Sequence, residues 1–120
     1  MPAASNRSLA EYTVFAKSAS IGATPAVAYT VAPHRGKVVR TGVICEGAAT
    51  GTIAVAVAID GGSNIGALSL TGGAGNKASD VPGVTGVSKD VVEGSTITFT
   101  PSGGAGATIP GLFYAVIRRK

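Results

Sequence analysis

The residues able to do chemistry in this 120-residue chain are few and scattered. It has one histidine, His34, and one cysteine, Cys45. A zinc site draws on a cluster of His and Cys ligands, and one of each does not make one. A Ser-His-Asp arrangement would have to use His34, which stands in a Pro33-His34-Arg35-Gly36 turn and reads as plain surface. Cys45 ends the apolar run Val43-Ile44-Cys45 and reads as a small buried hydrophobe. A lone thiol also forms no internal disulfide, which fits synthesis in a reducing compartment.

The six acidic residues are Glu11, Glu46, Asp60, Asp80, Asp90 and Glu93. Most fall at the ends of expected strands or in turns, where charge is ordinarily structural. Asp60 is alone in its turn, and calcium needs several oxygens in one loop. Gly72-Gly73-Ala74-Gly75-Asn76-Lys77-Ala78-Ser79 has the look of a phosphate loop. It lacks the Gly-Lys-Ser/Thr junction, and no helix follows to aim backbone N–H groups at an anion. The expectation is a protein without catalytic residues, bound metal or cofactor.

The elements that would carry any site are strands. Val and Ile number 14 and 8 against 4 Leu, beside 20 Ala, 12 Thr and 18 Gly. β-Branched residues fit a pleated surface, whereas Leu is the usual filler of amphipathic helices. Thr52 to Ile59 is the clearest strand, with Ile53, Val55, Val57 and Ile59 on one face, which must be core. Asp60-Gly61-Gly62-Ser63 is a hairpin turn, returning the chain along Ile65 to Thr71 with Leu68 and Leu70 on one side.

Further strands are expected over Glu11–Lys17, Ala26–Ala32, Lys37–Glu46, Ser95–Thr100 and Leu112–Ile117. Val27, Tyr29 and Val31 share a face in the second. Val39, Thr41 and Val43 alternate with Val38, Arg40, Gly42 and Ile44 in the third. Residues 72–90 read as a long irregular stretch, with Asp80-Val81 or Gly83-Val84 as a possible edge strand, and residues 101–108 as a glycine loop. The fold class is therefore all-β: an antiparallel β-sandwich, jelly-roll-like, with seven to eight strands and Gly-rich loops. Residues 1–10 read as an extended N-terminal arm and 11–120 as a single β-sandwich domain.

Charge narrows the partners. Charged residues make up 13% of the chain, about half the usual share, and the net charge is +4. Three of the positives are Arg118, Arg119 and Lys120, read as a basic tail. No basic stripe interleaved with aromatics appears, so nucleic acid is not the expected partner. The apolar run Ile53–Ile59 is too short to span a membrane as a helix. The first residues lack a charged start followed by an apolar stretch, so synthesis in a cytoplasm without membrane targeting is expected.

Surface is what remains. Ala54, Ala56 and Ala58 occupy the face of their strand opposite the core, where Thr, Lys or Glu would be usual. Either the strand is central and buried on both sides within the domain, or a second subunit or a partner covers the alanines. The candidate contact residues are thus Arg7 in the arm, the Ala54/Ala56/Ala58 face, and Arg118 and Arg119.

Pro33 to Val43, then Gly51 to Gly62, then Val91 to Phe99 resemble small glycine- and alanine-rich proteins of tailed-bacteriophage structural modules. A chain of this size resembles, among these, the capsid decoration or cement proteins of β-sandwich or jelly-roll type. The likeness covers roughly residues 25–117, rests on turn and strand chemistry, and carries over no catalytic residue. It implies a viral structural protein on the capsid exterior of the virion. Its partners would be the major capsid protein and copies of itself, as a homotrimer or a dimer. The competing expectation is a receptor- or carbohydrate-binding module of a phage fibre or head appendage, for which Tyr12, Tyr29 and Tyr114 are the candidate platforms.

Overall fold

The computed structural model describes residues 11–47, 49–71, 77–80, 89–106 and 108–119. The expected arm, Arg7 and Lys120 lie outside these residues. In chain order the strands are β1 (Glu11–Ser18), β2 (Ala28–Val31), β3 (Gly36–Cys45), β4 (Ala49–Thr50), β5 (Thr52–Ile59), β6 (Asn64–Thr71), β7 (Lys77–Asp80), β8 (Asp90–Val91), β9 (Thr96–Ser102), β10 (Ala105–Gly106) and β11 (Gly111–Arg119). Eight of them have four residues or more, in line with the seven to eight expected. The two-residue ladders β4, β8 and β10 come in addition.

Two antiparallel sheets form the sandwich. One runs β1-β11-β3-β7, with β8 also paired to β3, and the other runs β2-β9-β5-β6. Counted over the eight longer strands, the orders are first-eighth-third-sixth and second-seventh-fourth-fifth. That is the jelly-roll arrangement, in which the two halves of the chain interleave between the sheets. β4 and β10 pair separately, so the glycine loop expected over 101–108 is partly strand: β9 runs on to Ser102, and β10 lies within it at Ala105–Gly106.

The inner faces supply the core. β5 contributes Ile53, Val55 and Val57, all buried, and β9 contributes Ile97 and Phe99. The other sheet brings Val38, Val43, Phe113, Ala115 and Ile117. Phe99 and Phe113 stack across the gap with ring centroids 4.9 Å apart, joining the two sheets at their largest side chains. Cys45 is buried and points its Sγ at the Gly47 carbonyl.

The β5–β6 hairpin turns as the sequence predicts. Asp60 and Gly61 both take positive φ, 51° and 72°, and the Gly62 N–H donates to the Ile59 carbonyl at 2.9 Å. This is a type I′ turn, for which a short polar residue followed by glycine is the best sequence. The Asp60 carboxylate accepts from the Thr96 N–H at 2.9 Å, tying the turn to the start of β9. Its role is structural.

Two details depart from the alternation. β3 is bulged: Val116 pairs with Arg40, but the next residue, Ile117, pairs with Val38. Val39 is the extra residue. Val38 therefore faces the core together with Thr41 and Val43, where simple alternation put Val39. An edge strand follows β6 at Lys77–Asp80; Val81, Gly83 and Val84 of the expected pieces lie outside the described residues.

Candidate functional sites on the two outer faces

The sheets differ most on the sides turned away from the core. Not one charged residue occurs in β2, β5, β6 or β9. Every charged residue that lies in a strand lies in the other sheet.

On the uncharged sheet, β5 is central and its alanines face outward. Ala54 is flanked by Ser69 and Ser102, Ala56 by Ala67 and Thr100, and Ala58 by Asn64 and Thr98. Ala54 is exposed, and Ala56 and Ala58 are half-buried. Among the described residues nothing is laid across them, so the strand is central without being buried on both sides. Tyr29 stands opposite Thr98 on the same face, extending it toward the β2 edge. Val27, Tyr29 and Val31 are 41%, 65% and 54% exposed. β2 thus turns its large side chains out and its small Ala28 in. The result is a flat surface of Ala, Ser and Thr with an apolar margin.

The outer face of the five-stranded sheet is built differently. Phe15 is opposite Tyr114, and Tyr114 is opposite Gly42. The Tyr114 ring lies over Gly42, where a Cβ would come within 2.1 Å of it, so glycine is what lets the ring lie flat on the strand. Phe15 is 59% exposed beside it. Charges stand at both ends of this apolar middle. Lys17 and Glu46 are 3.6 Å apart at one end, and Arg118 and Glu11 are 2.9 Å apart at the other. Both pairs are solvated, so each orients more than it stabilises.

Arg118 and Arg119 are therefore strand residues, not a free tail: they pair with Lys37 and Gly36 across β3. The Arg118 guanidinium donates to one Glu11 oxygen from both Nε and Nη2. Arg119 acts electrostatically on Tyr12. Burial raises the Tyr12 pKa above the ordinary tyrosine value, and the Arg119 charge works against that rise. The Tyr12 hydroxyl donates to the His34 carbonyl, and the two rings meet edge to face at 5.8 Å. His34 is exposed and is held as a packing partner.

The structure thus separates the expected contact residues. The alanines sit on one outer face and Arg118 on the other. It sets the expected Val27–Tyr29–Val31 face beside the alanines, and it gathers Lys37, Arg40 and Lys89, which sequence reasoning missed, around Arg118. Lys37 and Arg40 are three positions apart, which puts them on opposite faces of a regular strand. Only the bulge at Val39 brings both outward, and the doubled Val38-Val39 between them was its one sequence signal. Of the tyrosines, Tyr29 alone is an exposed platform. Tyr114 is half-buried, and the groove beside it is lined by Ile44, Lys77, Ala78 and Ser79. Among the described residues no three His, Cys, Asp or Glu side chains gather where they could hold a metal ion.

No protein-family model matches the chain, and no curated protein matches it. Among solved structures, it is similar to the catalytic unit of a thermostable GH87 alpha-1,3-glucanase from Streptomyces thermodiastaticus strain HF3-3. The identity is 14% and the TM-score 0.39, over 78% of this chain and 18% of that one. A likeness at that level bears on neither fold nor activity.

Proposed function

We propose that this chain is a non-enzymatic viral structural protein that binds the outer surface of a phage capsid and stabilises it. The observation that supports this most is the uncharged outer face of the β2-β9-β5-β6 sheet. A solvent-facing sheet ordinarily carries charged residues, which also discourage unwanted association. This one carries Ala54, Ala56 and Ala58 with exposed Val27, Tyr29 and Val31, the character of a surface that another protein covers. Small side chains allow close approach over a flat area. Many such contacts, repeated by capsid symmetry and by self-association as a trimer or dimer, would hold firmly though each is weak.

The test is co-sedimentation of the purified chain with undecorated mature shells of its parent virus. Saturable binding at a fixed ratio per capsomer is expected. A folded chain that stays in the supernatant at low salt would overturn the proposal. Removing residues 1–10, Arg7 included, is expected to weaken attachment while leaving the sandwich folded.

A second reading has one observation in its favour. Tyr29 is 65% exposed and stands opposite Thr98 on a hydroxyl-rich face, an arrangement that suits the flat side of a sugar ring. On that reading the chain is a carbohydrate-binding module, and a glycan screen with wild type and Tyr29→Ala separates the two.

A further inference from the structure

A groove of about 370 Å³ opens at the β1/β8 end of the five-stranded sheet. Lys37, Arg40, Lys89 and Arg118 line it with Glu11, and Val39 and Val116 supply apolar wall. Three of its charges form a row across the strands, in which Glu11 pairs with Arg118 and Arg118 with Lys37, and the row continues beyond the groove to Asp90 opposite Lys37. The two cations in the middle of the row are direct cross-strand neighbours. Like charges so placed repel; Glu11 and Asp90 flank the pair, and an anion reaching Lys37 and Arg40 would add to that compensation.

The bulge at Val39 is the second observation. It breaks the β3 register just where Arg40 would otherwise turn away from Lys37 and Arg118. Bulges commonly re-aim a side chain in this way, and here the gain is a third cation on one face. Glu11 shows which anion suits the place. Its carboxylate already sits on the Arg118 fork, at 3.2 Å from Nε and 2.9 Å from Nη2. Arginine forks match carboxylates in shape as well as charge. Among the described residues no aromatic side chain lines the groove, so they offer no platform on which a nucleic-acid base could stack.

We propose that this groove binds the carboxylates of an acidic protein segment, with Arg40 and Lys37 as its main cations and Glu11 as an internal competitor for Arg118. The inference rests on the protein-docking reading above and names the chemistry of one partner surface. It assigns the charged sheet a contact separate from the uncharged one.

The experiment uses the full chain, labelled for amide shifts, with an oligoglutamate peptide and an oligothymidine strand of equal charge as probes. Oligoglutamate is expected to bind at low salt and to shift the amides of residues 36–40, Lys89 and Arg118. Arg40→Glu should weaken that binding by about tenfold or more, the effect of losing one charge-assisted contact and adding repulsion. Lys37→Gln should weaken it about threefold, and it serves if Arg40→Glu fails to fold. Glu11→Gln should strengthen it, because the competing carboxylate is gone. Tighter binding of oligothymidine, shifts confined to another face, or an affinity unmoved by Arg40→Glu would each overturn the proposal.

The same variants on capsid shells separate this inference from the function it rests on. Wild type and Arg40→Glu pelleting alike on shells would sink the groove and leave capsid binding standing. Oligoglutamate binding without any shell binding would do the reverse.

Discussion

The two sheets share one core and have opposite exteriors. Inside, both present Val, Ile and Phe, and the Phe99–Phe113 stack joins them. Outside, one sheet holds all the charged strand residues, and the other holds Ala, Ser, Thr and an exposed Val27–Tyr29–Val31 margin. Folding needs only the inner faces, and it constrains them alike. The outer faces are free to differ, so their difference is where function is to be sought.

Substitutions can break or sharpen that contrast. Phe99→Ala attacks what the sheets have in common. It empties a fully buried ring site and should cost about 3–5 kcal/mol in denaturant unfolding. Gly36→Ala acts on the charged sheet alone. A Cβ there would come within 2.4 Å of the Arg118 backbone oxygen, so β3 and β11 must part at that point. A loss of about 1–3 kcal/mol is expected, together with changed amide shifts at Lys37 and Arg118.

Thr41→Val should raise stability by about 1 kcal/mol. Thr41 is wholly buried, and its hydroxyl has no hydrogen-bond partner among the described residues. A calorimetric midpoint that falls would show that the hydroxyl is satisfied. Ala56→Lys should change stability least, by within about 0.5 kcal/mol, because it stands on an open face. Its effect is on identity: it puts a charge on the sheet that has none.

Strand β5 was legible because its Ile/Val and Ala residues alternate without a break and because it lies centrally, with a partner on each side. The Asp60-Gly61 turn was legible because few other residue pairs take two positive φ angles in succession. The edge strands were harder. β1 turns Phe15 out and Ala16 in, and β2 turns Tyr29 out and Ala28 in. In these two strands the small residue goes inside, unlike the edge strand β6, which buries Ile65, Leu68 and Leu70, and alternation alone cannot say which face is inner.

The charged groove was not legible for a different reason. Glu11, Lys37 and Arg118 meet only through pairings between distant parts of the chain, and Arg40 joins them only because Val39 is a bulge. Composition drew attention to Arg118 and Arg119 as an end of the chain. Their place in a strand, with a carboxylate already attached to Arg118, came from the register.

The central claim is that the uncharged face is a protein-docking surface on a capsid. Its most direct test is side-by-side co-sedimentation of wild type and Ala56→Lys with undecorated mature shells, both first shown to be folded. Saturable binding of wild type and loss of binding by Ala56→Lys is the predicted result. Shells that bind neither protein, or bind both equally, would contradict it.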